Sequence, residues 1–150
     1  MNHAALRLLV AVGLGALSSG CGAPLPDDVV GYQSRCVLMN GRPIPPYERD
    51  PHRGMKNVYA CNVTPEQVAA NQRPFPEGAL IVKESTRVGQ DFVWLVALAR
   101  KQAGAWQWNE YTRNFADEEL RHGLASRAVC TDCHGIVEDQ DWIFTRYTRE

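Results

Sequence analysis

Residues 130 to 134 read Cys-Thr-Asp-Cys-His, and this pentapeptide constrains the fold more than any other part of the chain. Two cysteines separated by two residues and followed at once by a histidine form the pattern that attaches haem covalently in c-type cytochromes. On a helix, Cys130 and Cys133 lie one turn apart, so both thiols can bond the two vinyl groups of one porphyrin edge while His134 binds the iron. The motif therefore predicts one haem c per chain, with Cys130, Cys133 and His134 as its protein ligands.

Two other interpretations of these cysteines are half of a zinc site and a redox-active dithiol. The chain has 5 Cys and 4 His, but it contains no second C-x-x-C and no H-x-x-x-H to complete four metal ligands. A lipoprotein without haem, in which Cys130 and Cys133 form a disulfide or a metal pair, stays as an alternative to haem attachment.

The first 20 residues predict export. Arg7 supplies a short positive region, residues 8–17 form an apolar run, and small residues precede Cys21, which is typical of a signal peptide. The run of about ten apolar residues is too short to span a bilayer, which needs about 20. Cys21 resembles the cysteine of a bacterial lipobox, which becomes lipidated. Because Ser18 stands where lipoboxes usually have an aliphatic residue, cleavage to a soluble periplasmic protein stays an alternative.

These features divide the chain into a lipoprotein signal peptide (1–20), a tether (21–30) and a haem domain (31–150). The tether contains prolines and acidic residues, a composition typical of linkers. Gly22 instead of aspartate after the lipidated cysteine resembles enteric lipoproteins of the outer membrane. We therefore expect a periplasmic domain anchored to the outer membrane of a Gram-negative bacterium.

The remaining two cysteines, Cys36 and Cys61, would lie in an oxidising compartment where they can form a disulfide. Such a bridge would stabilise the domain by roughly 3 kcal/mol. Two buried free thiols are the alternative, because a sequence does not place the two Cα atoms within bridging distance.

Composition and charge fit one soluble domain. The chain is 45% apolar and 22% charged, which is ordinary for a globular fold. With 16 basic and 17 acidic residues and no basic run, it offers no surface typical of a nucleic-acid-binding protein.

The secondary-structure signals predict a mixed fold dominated by strands. Proline and glycine predict irregular chain over 41–51, and Thr64, Pro65 and Gln67 form a capping box that begins a helix ending by Asn71. The other expected elements are a short helix within 27–41, strands over 57–62 and 79–84, a hairpin of 91–101 and 105–113 joined through Gln102-Ala103-Gly104, a helix over 116–122, and a last short helix that carries the haem motif.

Three tryptophans offer a large apolar surface. Trp106 and Trp108 share one face of the second hairpin strand, and Trp94 lies on the first arm. We expect core packing for all three, with contact to a porphyrin edge as the alternative.

The second axial position of the iron has no obvious ligand. Only 16 residues follow His134, and none is the methionine that electron-transfer cytochromes typically supply. Met39, Met55, His52, His122 or a lysine are the candidates, and none carries a special signal. An open distal position favours small ligands and substrates over pure electron transfer.

Four segments resemble the cytochrome P-460 family in their order and spacing. They are Phe75-Pro76-Glu77-Gly78 with the strand that continues to Lys83-Glu84, then Trp106-Gln107-Trp108, then the motif at 130–134, and finally Asp141-Trp142-Ile143-Phe144-Thr145-Arg146. The likeness covers roughly residues 56–147. It implies an α+β fold on a small antiparallel β-sheet with short helices, a C-terminal haem-attachment helix and a homodimer.

The resemblance also implies a choice of activity. True members oxidise hydroxylamine or nitric oxide, pass electrons to a periplasmic partner, and carry a bond from a lysine to the haem, and Lys83 matches that lysine. Relatives called cytochromes c′-beta lack the bond and bind nitric oxide or carbon monoxide without catalysis. A plain periplasmic electron carrier is the second alternative, and Lys83 is equally compatible with an ordinary lysine whose stem is buried and whose amine reaches solvent.

Other groups could assist either activity. Lys56, Glu84 and Glu110 are weak candidates for a proton acceptor during hydroxylamine oxidation. Gas binding would instead require an apolar distal side chain, for which Phe92 or Trp94 would serve.

Overall fold

Six β-strands form one antiparallel sheet in the computed structural model, which describes residues 22–123 and 125–149. Each strand pairs with the strand before it in the sequence, so the order across the sheet is also the order along the chain. Short helices accompany the sheet, which confirms the predicted α+β class. The predicted signal peptide, residues 1–20, and Cys21 lie outside the described residues.

The two longest strands, of 8 residues each, form a hairpin in the second half of the sheet. In chain order the elements are α1 (Tyr32–Arg35), β1 (Val37–Leu38), β2 (Met55–Cys61), α2 (Pro65–Ala69), β3 (Leu80–Thr86), β4 (Leu95–Gln102), β5 (Ala105–Thr112), β6 (Arg121–His122), α3 (Arg127–His134) and a 3₁₀ helix (Gly135–Gln140). No helix within the described ranges is long and apolar enough to cross a membrane.

The sheet separates two hydrophobic clusters, because side chains alternate between its faces. The front face is covered by α3 and the chain that follows it, and the back face by the N-terminal residues with α1. Each fully buried large apolar side chain contributes about 1.5–3 kcal/mol to stability. The front face carries Val58, Ala60, Ile81, Ala99, Trp106 and Trp108, and the back face carries Tyr59, Leu80, Val82, Val96, Leu98 and Tyr111.

The N-terminal segment adds to the sheet edge. The Leu25 N–H donates to the Leu120 carbonyl at 3.1 Å, and the His122 N–H donates to the Ala23 carbonyl at 2.8 Å. Val29 is fully buried in the back-face cluster. Residues 22–30, which the sequence predicts as a tether, thus pack on the domain.

Local signals in the sequence locate α2 and the hairpin correctly. The Gln67 N–H donates to Thr64 Oγ1, and the Thr64 N–H donates to Gln67 Oε1, which completes the predicted capping box. The hairpin turn consists of Ala103 and Gly104, both with positive φ. This two-residue turn with left-handed backbone matches the twist of the paired strands.

The predicted helix over 116–122 is wrong. Residues 113–120 form turns and bends, and Arg121–His122 is strand β6, which pairs with Tyr111 and Thr112. The Glu118 carboxylate accepts from the N–H groups of Asn114 and Phe115, so it closes a turn instead of capping a helix. Pairing of β6 with β5 and with the N-terminal segment replaces the hydrogen bonds that a helix would have made.

The Cys36–Cys61 disulfide is confirmed, with the two Cα atoms 4.5 Å apart. It joins the end of α1 to the last residue of β2. The bridge therefore fastens the N-terminal segment over the back face, on the opposite side of the sheet from α3.

Candidate functional site

Helix α3 carries Cys130, Cys133 and His134, as the sequence predicts. Ser126 begins the helix, and its hydroxyl accepts from the Val129 N–H at 3.5 Å. Neither Cys130 nor Cys133 forms a disulfide, and Cys133 is exposed while Cys130 is half-buried. Both thiols are thus available for covalent attachment, and His134 forms the end of the same helix.

The His134 imidazole is fixed on several sides. Its Nδ1 lies 2.6 Å from the Trp142 carbonyl oxygen, and its ring centroid lies 4.3 Å from that of Trp108 and 5.1 Å from that of Phe144. A carbonyl is only an acceptor, so Nδ1 carries the proton and Nε2 keeps a lone pair for a metal. Burial lowers the pKa of His134, the Trp142 hydrogen bond opposes that shift, and nearby Lys83 reinforces it. The ring is therefore biased towards the neutral form that binds metals.

Two adjoining cavities meet at this histidine. The larger has a volume of about 820 Å³ and opens between the front face and the C-terminal tail, whereas the smaller, of about 220 Å³, lies beneath α3. Their combined size is that of a pocket for a sizeable cofactor. The residues lining both are Pro51, His52, Lys83, Cys133, His134, Phe144 and Thr145.

Lys83 reaches the cavities from the middle of the sheet. It lies on β3 between Val58 of β2 and Ala97 of β4, and its side chain points to the front face. Burial lowers the pKa of Lys83 to about 8, Asp50 opposes the shift, and Lys56 adds to it. A larger share of neutral amine follows near neutral pH, and the neutral amine is the nucleophilic form.

A buried ion pair forms one wall of the larger cavity. Lys56 donates to the Asp50 carboxylate and to the carbonyls of Pro45 (3.1 Å) and Gly54 (3.0 Å), and both charged side chains are almost fully buried. These three acceptors occupy all the donors of the ammonium group. Lys56 is therefore structural, and it is unsuited to the proton-acceptor role considered from the sequence.

The open end of the larger cavity is positively charged. Arg42, Arg146 and Arg149 line it, whereas Asp50 is its acidic lining residue and is already paired. In the described part of the chain, none of these arginines forms a salt bridge. The cavity thus joins an apolar interior to a mouth suited to carboxylates or other anions.

The other proton-acceptor candidates lie on opposite sides of the sheet. Glu84 points to the back face, where it accepts from the hydroxyls of Tyr32 and Tyr59 and from the amides of Gln33 and Asn57. Glu110 lines the smaller cavity with Lys83, and burial raises its pKa. Of the two carboxylates, Glu110 is placed to act at the site.

The candidate apolar distal residues, Phe92 and Trp94, do not line either cavity. Arg113 lies over the Phe92 ring, and Arg87 lies over the Trp94 ring. Trp106 packs in the front-face core, while Trp108 packs there and also borders the smaller cavity. Phe144, which the sequence analysis did not consider as a distal residue, lies beside His134 together with Trp108.

Among the candidate histidines and methionines, His52 is the one that lines the cavities, and of the candidate lysines Lys83 lines both. Met39 is fully buried in the front-face cluster, Met55 lies on the partly exposed first position of β2, and the His122 ring contacts Asn109. Burial and the Lys83 cation lower the pKa of His52 to about 3. His52 is therefore neutral at physiological pH.

Sequence reasoning also missed a network beside the motif. Lys101 of β4 forms a buried ion pair with Asp141, at 2.7 Å, directly after the 3₁₀ helix. The sequence does contain a signal for this ion pair. Lys101 is a charged residue on the front face of β4, where the preceding front-face residue is the buried Ala99.

In the described ranges, no group of three or more His, Cys, Asp or Glu side chains is placed to hold a metal ion. A scan of the chain against protein-family models finds no match, and a search of curated proteins finds none either.

Proposed function

We propose that the chain is a mono-haem c-type cytochrome of the cytochrome P-460 type, which oxidises hydroxylamine or nitric oxide. One observation carries this proposal: Lys83 of β3 and the motif of α3, about 50 residues apart, border the same two cavities. The resemblance to the family depends on both features, and nothing in local sequence requires them to meet.

The residues around the cavities fit a haem. Cys130 and Cys133 have free thiols one helical turn apart, His134 presents Nε2, and the sheet offers an apolar wall. Arg42 and Arg146 at the mouth would bind the two haem carboxylates. When bound, haem c would supply an iron with an open coordination position and a store for electrons on their way to a periplasmic redox partner.

The role proposed for Lys83 is a covalent bond from its amine nitrogen to a carbon of the macrocycle. This bond would replace one N–H and one C–H bond, and the two protons and two electrons released would go to a two-electron oxidant such as a peroxide. Its burial and lowered pKa favour the neutral amine that such a bond requires. The chain would then hold its cofactor at Cys130, Cys133 and Lys83, which belong to two different elements.

Oxidation of hydroxylamine also releases protons, so the site needs an acceptor. Glu110 lines the smaller cavity and its pKa is raised by burial, which makes its carboxylate a stronger base than a solvated one. We assign proton acceptance to Glu110.

The visible absorption spectrum of protein made with the cytochrome c maturation machinery tests the cross-link. A Soret band strongly red-shifted from that of ordinary haem c is expected, and Lys83→Ala should abolish both the shift and hydroxylamine turnover. Lys83→Arg is the control for charge, because it keeps a cation and should lose the shift as well. A wild-type spectrum and turnover in Lys83→Ala would contradict the assignment.

Gas binding is the first alternative. An apolar wall that includes Val58, Ile81, Ala97 and Ile143 would hold nitric oxide or carbon monoxide without any proton acceptor. An ordinary high-spin haem c spectrum, with tight binding of these gases and no turnover, would favour this function.

The position of His52 favours an electron carrier as the second alternative. Its neutral imidazole lines both cavities with His134, and two histidine ligands would close the iron to substrates. A six-coordinate low-spin spectrum that becomes high-spin in His52→Ala would support this function over the other two.

We further propose that the protein is an outer-membrane lipoprotein that faces the periplasm and forms a homodimer. Lipidation of Cys21 would be detected by incorporation of labelled palmitate, which Cys21→Ser should abolish. Dimerisation would be measured by analytical ultracentrifugation.

A further inference from the structure

Two consecutive residues after the 3₁₀ helix adopt left-handed backbone conformations. Asp141 has φ 55° and Trp142 has φ 65°, and neither is a glycine. Such conformations are sparsely populated by residues with a Cβ, and they persist where the surrounding structure fixes them. This turn is therefore a place where the fold holds the chain in a defined shape.

The Asp141 side chain restrains this turn through four hydrogen bonds. Lys101 Nζ lies 2.7 and 2.8 Å from its two carboxylate oxygens, the Phe75 N–H donates to it at 2.7 Å, and Trp106 Nε1 donates at 3.3 Å. The Lys101 and Asp141 side chains are 9% and 13% exposed, so water competes weakly for these bonds. Three separate segments of the chain thus converge on one carboxylate.

The turn orients two groups that touch His134. The carbonyl of Trp142 accepts from His134 Nδ1 at 2.6 Å, and the Phe144 ring packs edge-on against the imidazole. Ile143 between them is buried in the front-face core, which prevents the segment from sliding.

We propose that Asp141 is a positioning residue for the His134 imidazole, acting through the turn that presents the Trp142 carbonyl. The carbonyl selects the Nδ1–H tautomer and increases the basicity of Nε2. Asp141 touches neither His134 nor the cavity, and its effect is to hold the acceptor in place. This role deepens the proposed function. It rests on that function in every measurement that requires bound iron.

Asp141→Asn tests the proposal, because it removes the charge that attracts Lys101 while keeping the shape of the side chain. Asp28→Asn is a matched control. Asp28 pairs with Arg100, the residue before Lys101 on β4, but this pair lies on the back face at the surface. Each variant replaces by asparagine an aspartate that pairs with a basic residue of β4.

In the haem-loaded protein we expect Asp141→Asn to retain one covalent haem per chain. Its ferrous iron–histidine stretching band in resonance Raman spectra should shift to lower frequency, and its midpoint potential should rise, because Nε2 becomes a weaker donor. Asp28→Asn should match the wild type in both. A wild-type stretching band and potential in Asp141→Asn would overturn the proposal.

A second readout does not depend on iron. In the full chain produced without the maturation machinery, long-range ¹H–¹⁵N spectra should show a slowly exchanging His134 Nδ1 proton that Asp141→Asn loses and Asp28→Asn keeps. If the wild type binds no haem but this pattern holds, the positioning role stands while the proposed function fails. Retention of the proton in Asp141→Asn would refute the positioning role by itself.

A milder variant covers the case in which Asp141→Asn does not fold. Trp106→Phe keeps an aromatic ring in the core and removes a single donor to Asp141. It should shift the stretching band in the same direction by a smaller amount, and an unchanged band would count against the proposal.

Discussion

Removal of the Lys56 charge should destabilise the domain strongly, because the residue forms a buried ion pair with Asp50. The side chains of Lys56 and Asp50 are 4% and 3% exposed, so neither charge would regain water if its partner were lost. Breaking a buried pair by removing one partner typically costs about 3–5 kcal/mol. For Lys56→Met we expect a loss of about 4 kcal/mol in the free energy of unfolding.

The contacts of Lys56 predict which of the two single variants, Lys56→Met or Asp50→Asn, loses more stability. In Asp50→Asn the ammonium keeps the carbonyls of Pro45 and Gly54 as acceptors, so the loss should be at the lower end, about 3 kcal/mol. The double variant leaves no unpaired charge, and it should cost far less than the sum of the singles. The expected coupling energy is therefore on the order of 3 kcal/mol.

Equilibrium urea unfolding measures this coupling. The four proteins compared are the wild type, the two single variants and the double variant, all in the same haem-loading state. With a slope of about 2 kcal/mol/M, the Lys56→Met midpoint should fall by about 2 M. The surface pair of Arg121 and Glu119, with side chains 30% and 69% exposed, is the control, and its coupling should stay below about 1 kcal/mol. Additive effects of the Lys56 and Asp50 variants would refute the reasoning.

Three further outcomes follow from other parts of the structure. Replacing both Cys36 and Cys61 by alanine should lower the free energy of unfolding by about 3 kcal/mol, because the bridge closes a separation of 25 residues. Urea unfolding checks this, and the spectrum of the proposed haem should stay unchanged. Burial and a nearby carboxylate raise the pKa of Tyr59 to about 12, and they raise that of Tyr32 as well. A tyrosine that binds its proton more tightly when folded stabilises the protein fully below pH 10 and loses that contribution as the pH rises towards 12. At pH 11 the loss from Tyr59 alone should be roughly 1–2 kcal/mol, so the total fall in stability should be smaller in Tyr59→Phe. Gly54→Ala should lower the free energy of unfolding by about 2 kcal/mol or more, because Gly54 has φ 101° and an added Cβ would overlap the backbone of β3. Thermal unfolding measures this loss.

The parts of the fold that local chemistry determines could be predicted from the sequence. The capping box at Thr64 and the glycine turn at Gly104 each use interactions within a few residues, so their signals are complete in a short window. The helix that carries Cys130, Cys133 and His134 belongs to the same group. The disulfide was expected as one of two outcomes, because pairing depends on a distance that sequence does not give.

The features that the sequence analysis predicted wrongly or missed depend on contacts between distant parts of the chain. Acidic residues at 117–119 favour a helix start, but the competing partners of this segment, Ala23 and Leu25, lie about 95 residues away and are invisible to local reasoning. Strand β1 is two residues long and has no periodicity to detect. Likewise, the engagement of Lys56 by Asp50 and the convergence of donors on Asp141 arise only after the sheet has formed.

The sheet whose strand order repeats the order of the chain has a consequence for biosynthesis. Every described strand after the first can pair with the strand that was synthesised just before it, and none waits for a partner still to come. All six strands precede residue 123, whereas the attachment motif begins at Cys130. If haem is attached as proposed, the strands of the sheet would all have been synthesised before the motif, so attachment would follow sheet formation.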